Sequence, residues 1–311
     1  MKNKSVAFID GDLLSYKIGF VGQVDSVDVY DESDTFLGNY KNKTEAYDQL
    51  GDVEIRVEPK VEPKPWEQVR KIGRAMIKNI AKKAGAESFR IYIDGKGNFR
   101  ETIATIKAYK GNRSAPKPYY YDKIRQWLKE EMKAIEILDM EADDAISIAM
   151  AYGYRKGLKY IGCTTDKDAL GSVGWLFNWD KMKEPVYIDD IEAAKNFYVQ
   201  MLSGDKIDNI QGCRQQGANG KSAKDVVKCT NKSDMTKIVL NAYVDKAKKS
   251  GYVVCEDGSE LDPVSEFLEN GRLLWMLRTR EVELWHPLTH MDVSIEDWTL
   301  WTEEYRGEFD G

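Results

Sequence analysis

The chain has 311 residues, of which 42% are hydrophobic and 32% charged, and this composition excludes a disordered or fibrous protein. Its formal net charge is −6, and an acidic balance argues against a nucleic-acid partner, because such proteins usually present a basic surface. Four cysteines without a CxxC pair, and two histidines in one HPLTH stretch, support neither a disulfide framework nor a zinc site.

Three short apolar runs, at 6–10, 89–94 and 160–166, each end in an aspartate. Each run is typical of a buried strand with an acid at its carboxyl end, and helical patterns at 66–84 and 142–154 lie between them. This alternation predicts an α/β fold, with a mainly parallel central sheet and helices on both faces. Ligands of such sheets bind outside the carboxyl ends of the strands, so we expect the three aspartates to meet there.

Other segments depart from this pattern. Residues 25–65 contain eleven acids, five basic residues and the sequence EPKVEPKP, which predicts a surface insertion that ends in a short extended connector. Residues 100–125 carry seven basic residues against two acids, and residues 204–223 are punctuated by glycines. Residues 256–311 carry fifteen acids against four bases, so the rest of the chain is basic, with a net charge of +5. We expect the tryptophans of this acidic segment to anchor it on the body.

Nine acids from five segments are expected at one edge of the sheet. They are Asp10, Asp94, Glu141, Asp143, Asp144, Asp166, Asp168, Asp205 and Asp208. Taken singly, each could be a helix cap, a turn residue or a solvated charge. Two unit charges about 4 Å apart repel by on the order of 4 kcal/mol at an effective dielectric constant of ~20, so the set as a whole requires cations. Oxygen ligands without histidine or cysteine favour Mg²⁺ or Mn²⁺ over zinc. Asp12, in the turn after the first strand, is a weaker candidate.

The order of these motifs resembles the flap endonuclease superfamily and, within it, the 5′→3′ exonucleases of T-odd phages. The resemblance covers most of the chain and rests on IDGD at 9–12, Asp94, YKGNR at 109–113, EADD at 141–144, TDKD at 165–168, GDKIDNIQG at 204–212 and LRTREVELW at 277–285. It implies a PIN-like nuclease core in residues 1–203, with a basic helical arch or gateway at about 98–135. It also implies a helix–three-turn–helix DNA-binding region in 204–311, where the acidic segment packs on the core.

The resemblance also implies roles for single residues. One metal ion is expected on Asp10, Asp94, Glu141 and Asp143, a second on Asp166, Asp168, Asp205 and Asp208, with Asp144 in or beside the pair. The cations expected over the scissile phosphate are Lys110, Arg113 and Arg100. Tyr109 is expected to stack on a terminal base. The remaining substrate contacts are expected from Lys107, Lys117, Lys221, Lys224, Gly212, Gly217 and Gly220, with K⁺ at the helix–three-turn–helix.

The implied function is a two-metal 5′→3′ exodeoxyribonuclease that acts on duplex DNA, with 5′ flaps and the RNA strand of hybrids as further substrates. A flap endonuclease as the main activity is the first alternative. A haloacid-dehalogenase-type phosphatase, using Asp10 and Asp12, is the second, and a catalytically silent DNA-binding module is the third. A nick is a further possible substrate. Without a signal peptide or an apolar span in the sequence, we expect a cytoplasmic monomer that binds no membrane, in the host bacterium if phage-encoded.

Overall fold

The computed structural model describes residues 4–112, 114–214 and 216–309. Its strands in chain order are β1 (Val6–Asp10), β2 (Gln23–Tyr30), β3 (Phe36–Tyr40), β4 (Arg56–Pro63), β5 (Ser88–Asp94), β6 (Ile135–Ile137), β7 (Tyr160–Cys163), β8 (Gly174–Phe177), β9 (Val186–Ile188), β10 (Val253–Val254) and β11 (Glu260–Leu261). Its helices are α1 (Gly11–Val21), α2 (Lys43–Leu50), α3 (Trp66–Lys83), α4 (Phe99–Ile103), α5 (Tyr121–Glu130), α6 (Ala142–Lys156), α7 (Asp190–Ser203), α8 (Lys221–Lys228), α9 (Lys232–Ser250), α10 (Pro263–Leu274), α11 (Pro287–His290) and α12 (Ile295–Phe309).

The central sheet has six strands in the order β6-β5-β1-β7-β8-β9. All pairs are parallel except β8 with β9, so the predicted mainly parallel sheet is confirmed. Alternate residues of β1 face opposite layers: Ala7 and Ile9 pack with α1, α3 and α5, whereas Phe8 packs with α6 and the start of α7. Helices therefore cover both faces, as predicted, and the apolar runs are continuous because both faces are buried.

The predicted insertion is a small antiparallel sheet in the order β3-β2-β4, with α2 beside it. We expected the EPKVEP sequence to form part of a connector, and that prediction is wrong. The sequence lies inside β4, which pairs with β2 along its whole length. Pro59 and Pro63 are tolerated there because β4 is an edge strand, so the missing amide donors leave no ladder bond unmade on its outer side.

The basic region predicted as a helical arch is helical only at its ends, in α4 and α5. The described residues between them, 104–112 and 114–120, form bends and turns instead. Pro116 and Pro118 in this stretch account for part of the difference, since proline interrupts a helix.

A second hydrophobic core joins α7 through α10 to the C-terminal segment. It contains Phe197 and Tyr198 of α7, Tyr243 of α9 and Phe267 of α10, and Trp285 is fully buried among them. Trp275 and Trp301 are also buried, so the acidic segment packs on the rest of the molecule through its tryptophans. Of the helices in the described ranges, none combines the length and the apolar composition that a membrane span requires.

Candidate active site

A cleft of about 870 Å³ opens at the carboxyl ends of β1, β5 and β7. Its walls carry seven of the nine predicted acids: Asp10, Asp94, Glu141, Asp143, Asp166, Asp168 and Asp208. Asp144 and Asp205 lie behind the walls, with 0% and 5% of their surfaces exposed. We call Asp10, Asp94, Glu141 and Asp143 the sheet-side carboxylates, and Asp166, Asp168, Asp205 and Asp208 the loop-side carboxylates.

Two sheet-side carboxylates are fixed by backbone amides. Asp10 caps α1, and its Oδ1 accepts from the amides of Asp12 and Leu13, both at 3.0 Å, while Oδ2 accepts from Thr164 Oγ1 at 2.8 Å. Burial nevertheless raises the pKa of Asp10 to about 6. Asp94 Oδ1 accepts from the first amide of α6, at 2.7 Å, so the end of β5 is tied to the positive end of a helix.

Asp143 differs from these two because its Oδ1 is buried without a hydrogen-bond donor among the described residues. Burial, and the neighbouring charges of Asp10 and Asp166, raise the pKa of Asp143 well above its usual range. A buried oxygen left without a donor is costly, on the order of 1–3 kcal/mol, unless a cation or a water completes its shell. This atom is therefore the clearest open ligand position in the cleft.

Asp144 and Arg100 form a buried pair at the cleft wall: Arg100 lines the cleft with 1% of its surface exposed, and Asp144 lies behind it. Two guanidinium nitrogens of Arg100 donate to the two oxygens of Asp144, at 2.6 and 2.9 Å. Arg100 also donates to the carbonyls of Leu273 and Trp275, and the Leu277 amide donates to Asp144. Burial alone would lower the pKa of Arg100, but the charge and hydrogen bonds of Asp144 raise it. The pair thus joins α6 to the C-terminal segment, and its polar atoms are already engaged.

Tyr109 and Lys110 lie between the two groups of carboxylates. The Tyr109 hydroxyl is 2.9 Å from both Glu141 Oε2 and Asp208 Oδ2 and can donate to either. Lys110 Nζ donates to Glu141, lies 3.9 Å from Asp208 Oδ2 and covers the Tyr109 ring, at 5.0 Å from its centroid. Burial and the charge of Glu141 raise the Tyr109 pKa well above its usual value. Lys110 therefore covers one face of the Tyr109 ring, the residue expected to stack on a base.

The loop-side carboxylates are held mainly by side chains and local turns. Lys167 Nζ is 2.6 Å from Asp205 Oδ2 and 3.3 Å from Asp168 Oδ1, and Gln200 Nε2 donates to Asp168 at 2.7 Å. Burial raises the pKa of Asp168 to about 7, with a further contribution from the charge of Asp166. Burial would also raise the pKa of Asp205, but the hydrogen bond and charge of Lys167 lower it.

The predicted DNA contacts are spread around the cleft. Lys117 lines its wall, with Nζ 4.7 Å from the Tyr121 ring centroid, whereas Lys107, Lys221 and Lys224 are exposed outside it. Arg113 lies outside the described residues.

The three predicted glycines of the 204–223 loop have different surroundings. Gly212 is buried, and its amide donates to Asn270 Oδ1 at 2.8 Å, so this amide is already used within the protein. Gly220 precedes α8, and its amide donates to the carbonyl of Gly217, which is exposed. A side chain at Gly212 would collide with the backbone of Gly204, so this glycine is required by packing within the protein.

Sequence reasoning missed three polar residues of the site. Arg125 of α5 pairs with Asp12 Oδ1 and donates to the Asp94 carbonyl, on the cleft wall. Thr164 binds Asp10, and Lys167 binds two loop-side acids. Lys167 lies inside the TDKD motif, and its position between two aspartates could have indicated a counter-charge. Arg125 is one of many basic residues in the sequence, and no local pattern distinguishes it.

The donor set fits hard divalent ions, which take carboxylate oxygens and keep several waters. Within the described residues, no three acidic, histidine or cysteine side chains already surround a single point as a metal cage. Lys110, Lys167 and Arg125 instead neutralise several carboxylates. The open Asp143 oxygen and the raised pKa values of Asp10 and Asp168 are what a group of acids shows when it lacks enough positive charge.

Comparison with known proteins supports this fold. The T5 D15 protein co-crystallized with metal ions is 15% identical, with a TM-score of 0.50 over 87% of this chain and 89% of that chain. The T5 5′-exonuclease with bound zinc is 16% identical over 87% and 86% of the two chains, with a TM-score of 0.45. No family model and no curated protein sequence matches the chain. At these identities the similarity establishes the fold alone: the chain has the fold of the T5 D15 protein, as the resemblance of its motifs predicted.

Proposed function

We propose that the chain is a metal-dependent 5′→3′ exodeoxyribonuclease that hydrolyses phosphodiester bonds from the 5′ ends of duplex DNA. The observation that carries the proposal is the open, buried oxygen of Asp143, in a cleft that it shares with six more of the predicted acids and with Lys110. A protein of the same fold has been crystallised with metal ions. Cleavage of 5′ flaps and of the RNA strand of hybrids, and a cytoplasmic role of the monomer in phage DNA replication, recombination or host DNA degradation, belong to the proposal.

The sheet-side and loop-side carboxylates would hold two Mg²⁺ or Mn²⁺ ions. Such ions, when bound, lower the pKa of an attacking water and offset charge on the leaving oxygen. Asp143 offers the open ligand, while Asp10 and Asp94 are oriented by the ends of β1 and β5. The proposed K⁺ would lie near the 204–223 loop, where Lys221 and Lys224 at the start of α8 contact duplex phosphates.

Lys110 is one of the cations that the protein itself places in the cleft, together with Lys117 and Arg125. Its ammonium group already bridges toward Glu141 and Asp208, and a phosphate entering the cleft offers it a further anionic partner. A fixed cation at that place offsets the negative charge that develops on the phosphate oxygens in the transition state.

Arg100 and Asp144 receive a different role from the one first expected. The guanidinium group of Arg100 contacts Asp144, Glu141, backbone carbonyls and the Phe99 ring, and the residue is 1% exposed. We therefore propose that this pair positions the start of α6, and that neither residue contacts substrate or metal. The phosphatase alternative has no support from the contacts of Asp12, whose oxygens are engaged by Arg125 and the Asp94 amide.

The direct test is digestion of duplexes labelled at the 5′ or the 3′ end, with a 5′-flap duplex in parallel, in Mg²⁺ or EDTA. We expect mononucleotides from 5′ ends in Mg²⁺ and no product in EDTA. Flap-length products would make flap cleavage the main activity, and binding without cleavage would favour the silent module.

Lys110→Ala tests the proposed cation. Its single-turnover rate should fall by about 100-fold, while the Kd for DNA in Ca²⁺ changes by less than about threefold, since the contact acts in the transition state. Lys78→Ala, on the exposed face of α3, is the matched control. An equal loss of affinity and rate would reduce Lys110 to a DNA-backbone contact.

A further inference from the structure

The segment that carries Lys110 is joined to the loop that carries Asp208. Three hydrogen bonds make this connection, which we call the clasp: Lys110 N donates to Asp208 O at 3.0 Å, Asn209 Nδ2 donates to Ala108 O at 2.9 Å, and Asn112 Nδ2 donates to Lys206 O at 2.7 Å. The partners are about a hundred residues apart in the sequence, in the two regions that motif reading assigned to separate units. The Tyr109 hydroxyl, which contacts both Glu141 and Asp208, lies beside it.

The backbone conformation is unusual in both segments that the clasp joins. Lys110 has φ of 57° and Asn209 has φ of 61°, both in the left-handed region. Asparagine adopts this region readily, but a lysine does so only where its surroundings impose it, at a cost of about 1–2 kcal/mol. The amide of Lys110 donates to the Asp208 carbonyl, so one bond of the clasp acts directly on the unusual backbone from which Nζ reaches Glu141.

We propose that Asn112 and Asn209 are positioning residues: they hold the Lys110 ammonium group and the Asp208 carboxylate in one fixed register across the cleft. The expected effect on cleavage rests on the proposed function. The fixed position of the two segments relative to each other does not depend on that function. The loop that continues from Asn209 to α8 includes the proposed duplex contacts. Placement of the duplex and placement of Lys110 are therefore coupled through the same three bonds.

A purely structural role of Asn112 and Asn209 would predict a different result from a positioning role. The Asn112 and Asn209 bonds lie near the surface, where each contributes about 0.5–1.5 kcal/mol, so their loss leaves the fold intact. A displacement of Lys110 by about 1 Å, by contrast, could cost on the order of 10- to 100-fold in rate. Loss of the two asparagine bonds, which leaves the Lys110 amide bond to Asp208 in place, should thus affect turnover much more than stability or DNA affinity.

The test uses the double variant Asn112→Ala/Asn209→Gly in the full chain. Glycine keeps the left-handed backbone at 209 while removing the amide donor, so backbone strain does not confuse the result. Asn39→Ala, which removes an amide bonded to the Val27 carbonyl in the insertion, is the control. Hydrogen–deuterium exchange in peptides covering residues 106–112 should become at least about tenfold faster in the double variant alone, with its unfolding midpoint little changed.

The catalytic arm measures single-turnover cleavage and DNA affinity in Ca²⁺. The double variant should lose about 10- to 100-fold in rate with Kd within about twofold of wild type. In a Lys110→Ala background the same two substitutions should cost little more, because they act through Lys110. Unchanged exchange at 106–112, or a rate loss that is fully additive with Lys110→Ala, would overturn the proposal. If the wild type cleaves no DNA, the proposed function fails, and the exchange result still decides whether the clasp fixes this segment.

Discussion

The sheet-side and the loop-side carboxylates face the same cleft but are held in place by different means. Asp10 and Asp94 accept from backbone amides at the starts of α1 and α6, so their positions follow from the fold itself. Asp168 and Asp205 share Lys167, a side chain that is 58% exposed and able to exchange partners. Asp205 Oδ1 also accepts from the amides of Ile207 and Asp208, and Glu141 on the sheet side is held by the side chains of Tyr109 and Lys110. The difference therefore lies between two pairs: main-chain geometry fixes Asp10 and Asp94, whereas a replaceable counter-charge contributes to holding Asp168 and Asp205.

This contrast predicts unequal tolerance to substitution. A carboxylate that is positioned by regular secondary structure keeps its place when a neighbouring side chain is substituted. A carboxylate that is positioned by a flexible ammonium group rearranges. We expect the sheet-side half to be intolerant of changes that affect its geometry, and the loop-side half to respond chiefly to charge.

Asp143→Asn is expected to have the largest effect, and it tests the sheet-side half directly. The cleavage rate should fall by about 10⁴-fold, or roughly 5 kcal/mol of transition-state stabilisation, because an amide is a poor ligand for a divalent ion. Stability should not fall, since the variant removes an acid crowded by Asp10 and Asp166. Single-turnover kinetics and urea unfolding check the two claims.

Asp168→Asn is the matched loop-side variant for this comparison. Its rate loss should be smaller, because Lys167 can move to the remaining acids and Asp205 keeps its place. An Asp143→Asn variant with near-wild-type rates at saturating Mg²⁺ would contradict the metal assignment. Equal losses from both variants would show that the two halves are equally demanding.

Arg100→Ala tests the comparison between the two groups of carboxylates in another way, because it removes a buried contact behind the sheet-side carboxylates. It leaves the fully buried Asp144 carboxylate without its bidentate partner, which should cost about 3–5 kcal/mol in free energy of unfolding. Urea unfolding measures this loss. Arg100→Ala/Asp144→Ala should recover part of it, because no buried charge then remains unpaired. A variant with unchanged stability would mean that the pair contributes nothing to the docking of residues 273–277.

The sequence made part of this site predictable and concealed the rest for physical reasons. Apolar runs that end in acids predicted the sheet and the meeting of Asp10 and Asp94, because strand direction alone determines which edge they reach. Asp144 was expected in or beside the pair of metal ions, whereas its engagement as a buried partner depends in part on a segment more than a hundred residues away. The clasp is likewise a long-range contact between irregular segments, for which local periodicity carries no signal.

The smallest expected effect is the dependence of the free energy of unfolding on pH and on divalent metal ions. It distinguishes the sheet-side from the loop-side carboxylates because the two groups titrate at different pH values. Asp10, with its pKa raised to about 6, and Asp168, with its pKa raised to about 7, bind a proton more tightly in the folded than in the unfolded state. Their contribution to stability is therefore complete below about pH 4 and is lost as the pH rises through 6 and then 7. In EDTA, these groups should lower the free energy of unfolding by about 3 kcal/mol between pH 5.5 and 8.

Divalent ions bind the ionised carboxylates, so Mg²⁺ should stabilise the protein more at pH 8 than at pH 5.5. The difference between Mg²⁺ and EDTA at each pH cancels the other titrating groups, including His286 and His290, whose pKa values burial lowers. In Asp168→Asn, the part of the EDTA loss near pH 7 should become smaller, while the part assigned to Asp10 and its neighbour Asp143 remains. Mg²⁺ stabilisation that is equal at both pH values would mean that the ion does not bind these acids. Loss of both parts in the single variant would mean instead that the two halves titrate as one cluster, and the separation between main-chain and side-chain control would then fail.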